Sequence, residues 1–226
     1  MILSASSLFI LVMVMMMSVY GAPIESRGIS SCYKHAILTF YWIPKEGDKD
    51  MLNDGQTVTL NGPKTKTLKG SNGKTIAKVS KTTYEKFQME GTGLLKDGKM
   101  VNLGDSKTRF QTVNRKTDPY GVGSNENSLV PWVSVASNDL HRGTKLYIKE
   151  LDGIKLPDGK THNGCVRVDD QGWSFGKCQL DFFTLQFSAY KILDNKIPGH
   201  VTVSQKKDCK ILNYVTSEVK AWAELT

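Results

Sequence analysis

A carboxylate inside an apolar run constrains the fold of this chain more than any other feature. Leu180, Phe182, Phe183 and Leu185 are β-prone apolar residues, and Asp181 stands among them. A buried charge costs free energy unless it is paired or used in chemistry. The sequence therefore predicts a strand around residue 181. Asp181 would cap a turn, point outward from an edge strand, or serve as a functional acid.

Two more acids lie shortly before this strand. Asp169 and Asp170 precede a glycine-containing turn at Gly172 and Trp173. Residues 163–183 therefore concentrate the residue types from which a site can be built, and the rest of the chain is expected to present them.

Four short motifs follow one another in the second half of the chain. They are Ala136-Ser-Asn-Asp139, Arg142-Gly-Thr-Lys-Leu-Tyr-Ile148, Asp170-Gln-Gly172 and Leu180-Asp-Phe-Phe183. Their order, and the spacing of the last two, resemble the 3D domain, a family named for its aspartates. The family is found in membrane-bound lytic transglycosylase A and in bacterial wall-remodelling proteins. The resemblance covers residues 128–190 and places the family's aspartates at Asp139, Asp170 and Asp181.

The resemblance implies both a fold and a reaction. The implied fold is mainly β: a six-stranded double-psi β-barrel with loop and hairpin insertions and few short helices, forming one domain over residues 32–226. The implied reaction is cleavage of a β-linked wall glycan, with Asp181 as the catalytic acid, Asp170 beside it and Asp139 binding substrate. Leu140 and Trp173 stand where the family has proline and a second glycine.

Glycosidic cleavage requires an acid that still holds its proton near neutral pH. Burial or a neighbouring like charge raises a carboxyl pKa in this way, and Asp181 among phenylalanines is the candidate. In a lytic transglycosylase this one carboxyl gives a proton and then takes one from the sugar's own C6 hydroxyl. In an inverting hydrolase a second carboxylate activates water, and Asp139, Asp170 and Glu90 are the candidates.

Five further residues are candidates for binding substrate. Tyr41 or Trp42 in the β-prone run 35–43 would offer a ring on which a sugar stacks, or would be core. Glu90, beside the glycine bend of residues 91–93, would be a second cleft acid or a solvated helix end. His162, next to Asn163, would hydrogen-bond a sugar hydroxyl or simply lie in a turn, and Trp173, in the turn after Asp170, would bind substrate.

Export is predicted by the apolar run at residues 8–17, which is too short to span a bilayer and precedes small residues suited to cleavage. We expect a signal peptide over residues 1–21, a flexible lead-in over 22–31, and a secreted protein; because no Lys or Arg precedes the run, the alternative is an uncleaved anchor. An even cysteine count favours disulfides in that compartment. Three pairings are possible, and we favour Cys165 with Cys178 and Cys32 with Cys209.

The net charge of +8 favours attraction to acidic surfaces such as wall polymers. The lysines of residues 64–81 lack the interleaved aromatics of a nucleic-acid binder, so nucleic acid is not an expected partner. His162 and Cys165 fit no zinc spacing, and no nucleotide loop is present. We expect no metal, no cofactor, no stable membrane insertion and a monomer.

Local signals along the chain predict short elements. A helix is expected over residues 82–89, capped by Thr82 or Thr83 and ended by glycine. Asn72-Gly73 and the turn at residues 96–99 predict hairpins. Residues 105–127 are expected to be a long loop lining a groove, residues 185–192 a strand, and residues 211–225 a closing helix or a last strand.

Two functions from different classes fit these expectations. The first is a secreted enzyme that cuts peptidoglycan, chitin or glucan. The second is an expansin-like module on the same fold, which binds or loosens wall polysaccharide without cleaving it. Asp181 separates them, because only the enzyme requires an acid there.

Overall fold

The computed structural model describes residues 28–104, 106–172 and 175–225, without the side chain of residue 125. The predicted signal peptide and most of the lead-in lie outside these residues. The strands are β1 (Ala36–Trp42), β2 (Lys49–Met51), β3 (Thr57–Thr59), β4 (Lys66–Gly70), β5 (Thr75–Val79), β6 (Thr92–Leu94), β7 (Met100–Leu103), β8 (Arg109–Thr112), β9 (Ser134–Ala136), β10 (Lys145–Lys155), β11 (Thr161–Asp170), β12 (Gln179–Leu185), β13 (His200–Val201) and β14 (Val203–Gln205). The α-helices are α1 (Lys81–Glu90), α2 (Phe187–Asp194) and α3 (Ser217–Trp222), with 3₁₀ turns at Ser31–His35 and Ser124–Glu126.

The main sheet is a nearly closed barrel. Its seven strands run in the order β13-β1-β12-β9-β11-β10-β14. The two edge strands are separated in the chain by Thr202 alone, whose carbonyl accepts a hydrogen bond from the Lys149 N–H at 3.1 Å. The expectation of a mainly β protein with few helices is confirmed, and the sheet has seven strands by this count.

Two parallel pairs give the barrel its connectivity. β1 pairs with β12, and β9 pairs with β11. β12 lies between β1 and β9, so the expected strand around residue 181 is a central one and not an edge strand. Leu180 and Phe182 on β12 are fully buried in the barrel core, which fits the apolar character of this run.

A second unit with its own core is inserted between β1 and β9. Its sheet has the order β5-β4-β8-β7-β6, and α1 packs on it around Leu68, Phe87 and Phe110. β6 is joined to the end of β1, because Leu94 donates its N–H to the Pro44 carbonyl at 2.9 Å. This junction sets the end of α1 beside the barrel.

Helix α1 begins and ends at recognisable caps. The Ser80 hydroxyl accepts from the Thr83 N–H at 3.1 Å, so the cap lies at Ser80 and the expected cap at Thr82 or Thr83 is wrong. The helix ends at Gly91, whose φ of 75° favours glycine. Gly93 then lets β6 approach the Phe87 ring, which a Cβ would meet.

Three local expectations need correction or completion. Residues 187–194 form α2 and not a strand; its buried residues are Phe187, Ala189 and Leu193, of which Ala189 and Leu193 are four residues apart on one helical face. The polar loop of residues 105–127 contains β8, which the pairing with β7 stabilises. The tail is helical at α3, while residues 211–215 have no regular structure.

The expected disulfide pairing is wrong. The bonds join Cys32 to Cys178 and Cys165 to Cys209, with Cα separations of 5.9 and 5.6 Å. Strand pairing is the reason. The parallel register of β1 and β12 sets Cys178 beside the segment before β1, and β14 carries Cys209 toward the sheet that holds Cys165.

The C-terminal segment ties the two units together. Lys160 of the barrel donates to the carbonyls of Asn213 and Val215 at 3.0 and 3.2 Å. Farther on, Arg115 of the inserted unit donates to the Ala223 carbonyl at 2.7 Å. Within the described ranges, no helix is long and apolar enough to cross a membrane.

Candidate active site

A cleft of about 640 Å³ opens where the inserted unit meets the barrel. The barrel contributes side chains from β1, β9, β11 and β12, and the inserted unit contributes the end of α1 and the loop after β7. The cleft is lined by Tyr41, Trp42, Ile43, Gln88, Met89, Glu90, Gly91, Thr92, Leu103, Gly104, Ser106, Lys107, Val122, Leu129, Ala136, Asp170, Gln171, Gly172, Phe175 and Asp181.

Two predicted aspartates reach this cleft from strands on either side of β9. Ala136 on β9 is the register partner of Asp181 on β12 and also of Asp170 on β11. Adjacent strands are about 4.8 Å apart, so the two aspartate Cα atoms are roughly 10 Å apart. The single methyl group of Ala136 leaves the space between the carboxyl groups open.

The Asp181 carboxyl is withdrawn from solvent. Its Oδ1 is buried and has no hydrogen-bond partner among the described residues. Burial raises the pKa of Asp181 to about 7, the nearby Thr39 hydroxyl opposes that rise, and the charges of Glu90 and Asp170 add to it. A large fraction of Asp181 therefore carries a proton near neutral pH, as general-acid chemistry requires.

The Asp170 carboxylate is held by backbone donors. Its Oδ1 accepts from the Ser124 N–H at 2.6 Å and from the Gln171 N–H at 2.8 Å. A Cβ at Gly123 would lie 2.7 Å from the Asp170 Cγ, so glycine allows the loop to approach. The sequence predicted that residues 105–127 line a groove, but it gave no sign that Gly123 and Ser124 hold this acid.

Glu90 faces the cleft from the end of α1 as part of a buried ionic cluster. Its Oε1 lies 2.5 Å from Lys86 Nζ, which also lies 3.3 Å from Asp50 Oδ1. Lys86 is 1% exposed, and burial raises the pKa of Glu90 while Lys86 lowers it. The sequence singled out Glu90 as a cleft acid but missed Lys86, whose spacing of four residues on a helix was a signal.

The two aromatic candidates differ from the expected stacking platform. Trp42 is 7% exposed, and its ring is stacked on Tyr190 at 4.7 Å with Lys86 Nζ 5.0 Å from its centroid. Trp42 is therefore packed in the core at the edge of the cleft, which was the alternative to a stacking platform. The Tyr41 ring packs on Phe183, with 5.0 Å between the ring centroids. Its hydroxyl lies near the carboxyl groups of Asp170 and Asp181.

The other predicted site residues lie apart from the cleft lining. Asp139 accepts a hydrogen bond from the Tyr33 hydroxyl at 2.5 Å and from the Cys178 N–H at 3.2 Å, so it fixes the start of β12. His162 is 1% exposed and hydrogen-bonds the Trp132 carbonyl at 2.8 Å. Trp173 lies outside the described residues.

The remaining acid of the motif is structural. Asp169 is buried, accepts from Arg167 Nε at 2.5 Å and from the Ser134 hydroxyl at 2.6 Å, and so points away from Asp170. Within residues 28–104, 106–172 and 175–225, no group of three or more His, Cys, Asp or Glu side chains is arranged to hold a metal ion.

Solved structures of lytic transglycosylases resemble this one. The structure is similar to those of MltA proteins. E. coli MltA is 12% identical with a TM-score of 0.48, covering 78% of this chain and 72% of its own. The membrane-bound lytic murein transglycosylase of Agrobacterium tumefaciens is 12% identical with a TM-score of 0.47, covering 78% and 73%.

A third structure, E. coli MltA with bound chitohexaose, is 13% identical with a TM-score of 0.47, covering 76% of this chain and 71% of its own. No protein-family model matches the chain, and no curated protein matches it by sequence.

Proposed function

We propose that this chain is an exported enzyme that cleaves a β-linked wall glycan in the cleft between barrel and inserted unit. Asp181 acts first as acid and then as base. The observation that carries the proposal is the buried Asp181 carboxyl in the wall of an open cleft: its pKa is about 7, and its Oδ1 has no hydrogen-bond partner among the described residues. A structural carboxylate would be paired, as Asp169 is.

The reaction begins with protonation of the leaving group. Protonated Asp181 donates to the glycosidic oxygen as the bond to the anomeric carbon breaks. Burial disfavours the resulting carboxylate, so the same group is a ready base for the proton of the attacking hydroxyl. If that hydroxyl is the sugar's own C6 hydroxyl, the product is a 1,6-anhydro sugar and no water is consumed.

The second aspartate contributes binding rather than proton transfer. Two backbone N–H groups occupy Asp170 Oδ1, which leaves Oδ2 to accept from sugar hydroxyls. The open space over Ala136 accommodates the sugar between the two carboxyl groups. Tyr41 and Glu90 complete the walls of this subsite. We assign to Asp170 the role of holding the sugar in line with Asp181.

The double-psi β-barrel is part of the proposal. Because Thr202 alone separates β13 from β14, we count them as one bent strand, and the barrel then has six strands. Two parallel pairs, β1 with β12 and β9 with β11, support that assignment. The two disulfides support export, because such bonds persist in oxidising compartments.

The test is product analysis on a panel of peptidoglycan, chitin and β-glucan. We expect the wild type to release soluble fragments from one of them, and mass spectrometry to show an anhydro end as the loss of one water. Asp181→Asn should keep the fold and lose product release. If the wild type is retained by a polymer but releases nothing from any, the protein is a binding module and not an enzyme.

A further inference from the structure

The Tyr41 hydroxyl is buried in the cleft wall without a hydrogen-bond partner among the described residues. It approaches the Asp170 carboxylate without meeting the geometry of a hydrogen bond. A buried polar group left unpaired costs about 1–3 kcal/mol. A phenylalanine would fill the same space without that cost, so packing alone does not explain a tyrosine here.

Two buried tyrosines, Tyr33 and Tyr214, have hydrogen-bond partners for their hydroxyl groups. The Tyr33 hydroxyl bonds Asp139 at 2.5 Å and Ser137 at 3.2 Å. The Tyr214 hydroxyl donates to Asn163 Oδ1 at 2.9 Å and accepts from the Asn163 N–H at 3.0 Å. Tyr41 differs from both, because its hydroxyl is directed at the acids of the cleft.

The Tyr41 hydroxyl keeps its proton. Burial raises the pKa of Tyr41 well above its usual value, and the charges of Asp170, Asp181 and Asp169 raise it further. A phenol in these surroundings remains a hydrogen-bond donor in the pH range in which Asp181 gains and loses its proton. The Tyr41 hydroxyl is therefore a constant hydrogen-bond donor beside carboxyl groups that gain and lose protons.

Strand register sets this donor on the same side of the sheet as Asp181. Thr39 on β1 pairs with Asp181 on the parallel strand β12, and Tyr41 lies two residues beyond Thr39. Residues two apart on a strand share a face. Among the described residues, the Asp181 Oδ1 is a second buried oxygen of the cleft wall without a hydrogen-bond partner, so a donor and an acceptor lie unpaired on neighbouring strands.

We propose that Tyr41 and Asp181 together bind the attacking hydroxyl, with Tyr41 donating to its oxygen and Asp181 accepting its proton. A hydroxyl group suits this pair because it accepts and donates at once. The inference rests on the proposed function and adds the group that orients the nucleophile, either a sugar hydroxyl or a water molecule.

The proton balance closes in two steps. Asp181 first gives its proton to the leaving oxygen as that oxygen separates from the anomeric carbon. The hydroxyl oxygen held by Tyr41 then bonds to the same carbon, and its proton passes to the Asp181 carboxylate. Tyr41 keeps its own proton throughout, and Asp181 returns to its starting state.

The experiment compares Tyr41→Phe with Tyr214→Phe on the polymer that the wild type cleaves best. Tyr41→Phe removes an unpaired hydroxyl, so its free energy of unfolding should equal or exceed that of the wild type. Its kcat should fall roughly 100-fold through loss of orientation, with little change in KM. Tyr214→Phe should lower stability through its lost hydrogen bonds and leave kcat unchanged.

A second readout follows the product and not the rate. If Tyr41 orients the sugar hydroxyl against competing water, Tyr41→Phe should change the ratio of anhydro to hydrolysed ends, which a purely structural role leaves constant. Equal kcat and equal product ratio in Tyr41→Phe and wild type would overturn the inference alone. A wild type that releases no product would overturn the proposed function, and the inference with it.

Discussion

Asp181 and Asp170 flank the same residue, Ala136, from opposite sides in the barrel sheet. β9 pairs antiparallel with β12, which carries Asp181, and parallel with β11, which carries Asp170. Two acids from distant motifs therefore lie at the same height in the cleft, opposite Ala136. The Ala136 side chain is a single methyl group, the smallest after glycine. Its size determines how much room lies between the two carboxyl groups.

Ala136→Val should therefore block the cleft while keeping the strand, because valine favours β structure. We expect product release to fall by roughly 100-fold, since a misplacement of about 1 Å can cost that much. The measurement is initial rate together with thermal melting. Ala77→Val, the same change on β5 outside the cleft lining, is the matched control, and full activity of Ala136→Val would show that substrate does not pass over this position.

Lys86→Met tests the buried ionic cluster. The change leaves Asp50 and Glu90 without their shared cation, and breaking a buried pair costs about 3–5 kcal/mol. We expect a loss of this size in the free energy of unfolding from urea titration.

The control is Lys81→Met, which removes the solvent-exposed Lys81–Glu85 pair on the same helix. That variant should lose less than about 0.5 kcal/mol. Similar losses in both variants would mean that Lys86 contributes no more than a surface lysine.

Glu90→Gln should shift the pH dependence of kcat/KM. The negative charge of Glu90 helps to raise the pKa of Asp181 to about 7. Removing it lowers the Asp181 pKa, and the cation of Lys86 acts in the same direction.

The protonated acid is then lost at a lower pH, so activity at about pH 8 should fall more than activity at about pH 6. Glu85→Gln, an exposed acid on the same helix, should leave the profile unchanged. A basic limb that does not move would remove either Glu90 or Asp181 from the mechanism.

His162 should make the fold less stable in mild acid. Burial lowers the pKa of His162 to about 4 from its usual 6.5. Between these values the unfolded chain binds a proton that the folded protein does not, so stability is complete above about pH 6.5 and falls as the pH drops toward about 4. The difference corresponds to about 3 kcal/mol.

The measurement is urea unfolding at several pH values in the wild type, His162→Gln and His141→Gln. His162→Gln should lose this part of the pH dependence, whereas His141→Gln, at an exposed position, should retain it. Parallel stability curves for all three proteins would show that His162 does not govern the response.

Local sequence predicted the strand of Asp181, the hairpin at Asn72-Gly73 and the glycine end of α1, because each depends on residues close in the chain. It also chose Asp181, Asp170 and Glu90, which the structure brings to one cleft. It could not show that the exposed Asp139 accepts from the Tyr33 hydroxyl or that the buried His162 hydrogen-bonds the Trp132 carbonyl, because both contacts join segments that are distant in the chain.

By itself, then, the sequence determined that this chain is mainly β, that it carries an aspartate inside an apolar strand and that its cysteines are even in number. Only the tertiary structure decided that Cys32 pairs with Cys178, that Ala136 separates two acids, and that the Tyr41 hydroxyl and Asp181 Oδ1 have no partner among the described residues. The reason is physical. Propensity and turn chemistry act between near neighbours, whereas the order and register of strands depend on packing between segments that are distant in the chain.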